Sequence, residues 1–74
     1  MKDRVLKIVS RVMSVPVKQL NEQSSIDTLE KWDSMRHMNL IMSLEEEFQV
    51  TFNEEEIIEM VSVEIILETL KNHL

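Results

Sequence analysis

The side chains able to do chemistry converge on one segment, Trp32-Asp33-Ser34-Met35, with His37 just beyond it. Ser34 offers a hydroxyl, Asp33 a carboxylate and His37 an imidazole. Ser34 and His37 are three residues apart, a spacing at which side chains on one helix meet. A serine–histidine nucleophile also needs an oxyanion hole and a cleft. A 74-residue chain without glycine builds neither readily, and helical phase turns His37 partly towards the core. Catalysis by this chain is therefore not expected. Asp33 and His37 have the i, i+4 spacing of helix-borne metal ligands. No second cluster completes a coordination shell, and the glycine-containing calcium-loop pattern is absent, so no metal is expected. The plain alternative is that Asp33 or Ser34 is an ordinary helix N-cap.

The elements that must position this segment are helical. Leu, Met, Glu and Lys are abundant and are good helix formers. Glycine is absent and Pro16 is the sole proline, which disfavours tight hairpins and phosphate-cradling loops. Val5, Ile8, Val9 and Val12 fall at i, i+3, i+4 and i+7 and predict a first helix from about Lys2 to Met13. Pro16 closes it, because the residue before a proline is biased away from helix. A long polar connection follows, roughly Ser14 to Asp33. Its Val15, Val17, Leu20, Ile26 and Leu29 are expected to pin it to the rest, with a short helical turn near Ser25–Leu29, since long structureless loops are uncommon in compact domains.

A second helix is predicted over Ser34–Phe48, its core stripe being Met38, Ile41, Leu44 and Phe48 with Leu40 at the margin. Val50-Thr51-Phe52 is a brief extended stretch, too short for a sheet. A third, short helix spans about Glu54–Met60, with Asn53 and Glu56 spaced as a capping box. Ser62 caps a fourth, Val63 to about Lys71. The expected core is Val5, Ile8, Val9, Val12, Met38, Ile41, Leu44, Phe48, Ile57, Met60, Val63, Ile66, Leu67 and Leu70. The class is all-α, a four-helix bundle of three longer helices and one short one, in a single domain over residues 1–74.

Charge and length restrict the partners. Residues 1–20 carry +4 and residues 21–74 carry −10, which makes up the net −6. An acidic surface repels nucleic-acid phosphates and attracts basic protein partners, or simply keeps the domain soluble. There is no cysteine, hence no disulfide or thiol nucleophile. No apolar run reaches the roughly 18 residues of a membrane span, and no long apolar stretch or small-residue cleavage site follows the basic start. A cytoplasmic monomer is expected.

The order of features across the chain carries more than any one of them. The Asp33-Ser34-Met35 opening leads into Leu40-Ile41-Met42-Ser43-Leu44-Glu45-Glu46-Glu47-Phe48. Then come Val50, Phe52, the Glu54-Glu55-Glu56 helix start and the Ser62-Val63 restart. This sequence resembles the acyl carrier protein family along essentially its whole length. The resemblance implies that Ser34 carries 4′-phosphopantetheine, flanked by Asp33, donated from coenzyme A by a phosphopantetheinyl transferase. The arm's thiol would hold acyl groups as thioesters for loading and processing enzymes of fatty acid, polyketide or related biosynthesis. A phosphodiester at that position suits a helix N-terminus.

The resemblance further implies that the second helix docks on basic patches of those enzymes. Met35, Asn39, Met42, Glu45 and Glu46 are the candidate contacts, methionines being adaptable surfaces; the alternative is that the methionines are marginal core and the glutamates a solvated face. Arg36 and Asn39 make this face less acidic than in much of the family. Met35 stands in place of the family's usual Leu, a volume-conserving change. Trp32 stands where a small residue is common; it is expected to be half exposed, shielding the arm, meeting a partner or covering the loop, and it points to a specialised pathway. An acyl chain would lodge among Met38, Ile41, Ile57 and Met60. Two other classes stay open: a peptidyl carrier of the same fold, and a helical interaction module whose Ser34 is never modified.

Overall fold

A computed structural model describes residues 1–74. The chain forms four α-helices: α1, Lys2–Met13; α2, Ser34–Phe48; α3, Glu54–Glu59; and α4, Val63–His73. The architecture is the all-α four-helix bundle, with α3 the short member. No helix is long and apolar enough to cross a membrane. α1 packs against α2 and α4, and the core lies where these three helices meet.

Side-chain caps start the last three helices. Asp33, extended at φ −104° and ψ −177°, accepts the N–H of Arg36 and opens α2. Asn53 and Glu56 form the reciprocal capping box of α3, at 2.8 and 3.0 Å. Ser62 accepts the N–H of Ile65 at 3.2 Å and opens α4. Each satisfies a backbone donor that has no partner within its helix.

The ends of α1 and α2 share one device. Ser14 and Gln49 both adopt the left-handed conformation, at φ 57° and 55°. Beyond them, Val15 N–H reaches back to the Ser10 carbonyl and Val50 N–H to the Glu45 carbonyl. Both valines pack against the core. This is the six-to-one hydrogen bond and apolar contact of a Schellman ending. Glycine normally fills the left-handed position because a Cβ costs roughly 1 kcal/mol there; this chain has none.

The connection from α1 to α2 is anchored at several points. A 3₁₀ turn spans Val17–Gln19. Leu20 is buried, and Val15 and Leu29 pack on the core, whereas Val17 and Ile26 remain largely exposed. The expected turn at Ser25–Leu29 is closed by Leu29 N–H on the Ser25 carbonyl. An isolated antiparallel bridge pairs Ser25 with Ser62. It brings Ile26 N–H to the Val61 carbonyl and Val63 N–H to the Ser24 carbonyl, both at 2.9 Å, so the long loop is stitched to the α3–α4 junction.

The core corrects the expected stripe of α2. His37, Leu40, Ile41, Leu44 and Phe48 face inward. Leu40, expected at the margin, has no exposed surface, and Met38, expected in the core, is 48% exposed. Helical phase permits two apolar stripes on α2, one through residues 40, 41, 44 and 48 and another through 35, 38 and 42. The neighbouring helices select the first. Leu6, Met13, Trp32 and Phe52 also join the core, while Val12, Ile57 and Leu67 lie half-buried at its edge.

Candidate functional site

Ser34 is the first residue of α2 and is exposed. The N-cap is its neighbour Asp33, so the serine hydroxyl is not spent on capping. The first intrahelical bond of α2 runs from His37 N–H to the Asp33 carbonyl at 2.8 Å. Ser34, Met35 and Arg36 therefore have no intrahelical acceptor for their N–H groups. Asp33 takes that of Arg36. The other two point with the positive end of the helix dipole towards any group attached at Ser34, which suits an anion.

His37 lies one turn inside the site and is buried. The indole Nε1–H of Trp32 donates to its Nδ1 at 3.0 Å. Because Nδ1 accepts, the ring proton is on Nε2, which donates to the Ile57 carbonyl at 2.7 Å. The two rings are near-parallel, with centroids 6.1 Å apart and planes within 25°. Both imidazole nitrogens are thus occupied. His37 has no lone pair free to take a proton from Ser34 or to bind a cation beside Asp33.

Trp32 is corrected from half exposed to 2% exposed. Its backbone N–H bonds the Leu29 carbonyl at 3.0 Å and its ring belongs to the core. It covers the loop from within and presents no surface to a partner in this arrangement. Sequence spacing alone does not mark Trp32 and His37 as a pair. The available signal is chemical: an indole and an imidazole five residues apart across a helix start each need a polar partner when buried.

The proposed contact residues divide. Met35, 77% exposed, lies on one face of α2 with exposed Met38 and Met42, and Asn39 and Glu46 are also exposed. Glu45 is turned inward and accepts Phe52 N–H at 2.9 Å. Arg36 bends back and donates from Nη1 to the Val12 carbonyl at 3.0 Å, and Lys31 reaches the Ser14 carbonyl at 3.4 Å. The two cations beside Ser34 are thereby drawn to the negative end of the α1 dipole.

Of the four suggested pocket residues, Ile41 and Met60 are fully in the core, Ile57 is half-buried and Met38 faces out. A separate open cleft lies elsewhere, at the start of α1 and the end of α4. Its volume is about 640 Å³, with Lys2, Glu22, Glu64, Leu67 and Lys71 among its lining.

A model of the phosphopantetheine attachment-site family matches residues 3–70. No curated protein matches the chain.

Proposed function

The chain belongs to the phosphopantetheine attachment-site family, and from that premise we propose that residues 1–74 form an acyl carrier domain whose arm is attached to Ser34. At the coarser level the chain is a phosphopantetheine carrier, not a catalyst, and it works with enzymes that modify and load it. The observation that carries the finer reading is the placement of Ser34: an exposed hydroxyl in the first turn of α2, next to a capping Asp33.

The attachment is a group transfer. The Ser34 oxygen forms a bond to the phosphorus that carries pantetheine in coenzyme A, and the pyrophosphate linkage breaks. Adenosine bisphosphate leaves, and a base of the transferase takes the serine proton. The carrier contributes position. The free N–H groups at the start of α2 stabilise the phosphodiester. The thiol of the arm then holds an acyl group as a thioester.

Partners would be a phosphopantetheinyl transferase and acyl-loading or acyl-processing enzymes with basic docking patches. Met35, Asn39, Met42 and Glu46 form the contact face on α2, with Met38 added to it. Glu45 contributes charge but is already engaged with Phe52 N–H. The pathway is fatty acid, polyketide or a related specialised biosynthesis in the cytoplasm, and the carrier acts as a monomer. An acyl chain among Met38, Ile41, Ile57 and Met60 requires α3 to move, because Ile41 and Met60 are fully buried. Long-chain acylation that leaves the NMR shifts of these four residues unchanged would refute that lodging.

The test of the attachment is direct. The protein is incubated with coenzyme A and a broad-specificity phosphopantetheinyl transferase and weighed intact. A gain of one phosphopantetheine, absent in Ser34→Ala, is expected. No gain in either protein would leave an unmodified interaction module in its place. Transfer of aminoacyl rather than acyl groups to the holo form would instead favour a peptidyl carrier.

A further inference from the structure

α3 is six residues long and buries none of them fully. Such a helix is held mainly at its ends. Its first turn has the Asn53–Glu56 box. At its other end Met60 N–H bonds the Glu56 carbonyl and Val61 N–H the Glu59 carbonyl. The Ile57 carbonyl would be left over, and His37 Nε2–H fills it from α2. On the opposite edge of the same imidazole sits the Trp32 indole N–H. One ring therefore joins three segments: the loop two residues before Ser34, the body of α2 and the end of α3.

The two hydrogen bonds differ in their response to a proton. A neutral ring with hydrogen on Nε2 satisfies both. A protonated ring is a donor at both nitrogens. Its Nε2–H still serves the Ile57 carbonyl, more strongly than before. Its new Nδ1–H points at another N–H, that of Trp32, and the two donors repel. Trp32 cannot keep its indole nitrogen buried and unpartnered without a penalty.

We infer that Trp32 and His37 form a proton-sensitive latch: the neutral imidazole ties the serine loop to α3, and the charged imidazole releases the Trp32 side while keeping α3 capped. Both are positioning residues, acting through the loop and not on the reacting atoms. Of the charged groups on the surrounding elements, Asp27, Glu30, Glu54, Glu55 and Glu59 make no side-chain hydrogen bond or ion pair, and others bond elsewhere. Lys31 bonds the Ser14 carbonyl and Arg36 the Val12 carbonyl. Asp33 caps α2, and Glu56 bonds Asn53 and His73. None of them shares a hydrogen bond with the His37 ring to compensate the added charge. The latch stands on its two hydrogen bonds alone, and its effect on how Ser34 meets a partner rests on the reading given above.

The experiment uses the full chain carrying Ser34→Ala, so that its outcome does not depend on an arm. Ring-nitrogen NMR follows His37, and the exchange protection of the indole N–H follows Trp32, the chain's one tryptophan. The pH is lowered across roughly the range 8 to 5 in which histidines change charge. At the upper end His37 should show the Nε2–H tautomer. As its ring gains a proton, Trp32 protection should fall about tenfold, the equilibrium worth of one lost hydrogen bond, and the amides of residues 31–34 should shift. His37→Gln can accept from the indole and donate to Ile57 without titrating, so it should abolish the response. Trp32→Phe keeps a ring but not the donor and should abolish the acid shift of residues 31–34. His73→Asn should respond as the parent does. The latch is overturned by the opposite tautomer, by a His37 ring that gains no proton down to pH about 5, by undiminished Trp32 protection as the ring gains its proton, or by an unchanged acid response in His37→Gln or Trp32→Phe.

Discussion

The guanidinium of Arg36 donates to the carbonyl of Val12 at 3.0 Å, so the first turn of α2 caps the last turn of α1. The contact joins a cation to the negative end of a helix dipole and supplies a partner to a terminal carbonyl. It also explains why a basic residue two positions from Ser34 does not project from the methionine face of α2. Arg36→Met keeps the apolar stem and removes the donor. We expect a loss of about 1 kcal/mol in urea unfolding, the usual worth of such a bond. An unchanged midpoint would show that the contact is incidental.

The inward face of α2 predicts a contrast between near neighbours. Leu40→Ala should cost about 3 kcal/mol, as expected for a fully buried leucine. Met38→Ala should stay within about 0.5 kcal/mol, the usual range for a surface change. Equal costs would return Met38 to the core.

Two left-handed endings without glycine leave room for stabilisation. Ser14→Gly should gain about 1 kcal/mol by relieving the Cβ clash, less the entropy of the added flexibility. Gln49→Gly should gain less, because it forfeits the bond from Gln49 Nε2 to the Glu46 carbonyl. Both are read as a raised urea midpoint at constant slope. A fall for Ser14→Gly would show that its left-handed geometry carries no strain.

Acid should weaken the α3–α4 contact through Glu56. The Asn53 backbone N–H, followed by the His73 side chain, holds the Glu56 carboxyl below 4.5. His73 Nε2 lies 2.8 Å from it. A carboxyl lowered on folding adds stability above its unfolded value, and that stability is lost as pH falls through the folded value. Glu56→Gln keeps an acceptor for Asn53 but cannot titrate, so the decline of stability below about pH 4.5 should be shallower. The Glu56 side-chain NMR titration should centre below 4.5. A midpoint at or above it would contradict the pairing.

What could be read from the residues alone was local. The bounds of α1 and α2, the caps at Asn53 and Ser62, a cap at Asp33 or Ser34, and the place of Ser34 at a helix start follow from short-range rules of capping and 3.6-residue periodicity. Those rules act within a turn or two, so a linear pattern records them. The choice between the two apolar stripes of α2 does not lie within a turn. It is made by the packing of α2 on α1 and the shared core, which buries Leu40 and leaves Met38 outside. The burial of Trp32 and the tautomer of His37 depend on the carbonyl of Ile57, twenty residues away, arriving beside the imidazole. The left-handed endings at Ser14 and Gln49 carry no glycine to announce them; packing of Val15 and Val50 against the core sustains them. Sequence determined which helices form and where the serine stands. Tertiary packing decided which faces are hidden and which side chains remain free, because burial is a property of the neighbours a residue acquires and not of its own type.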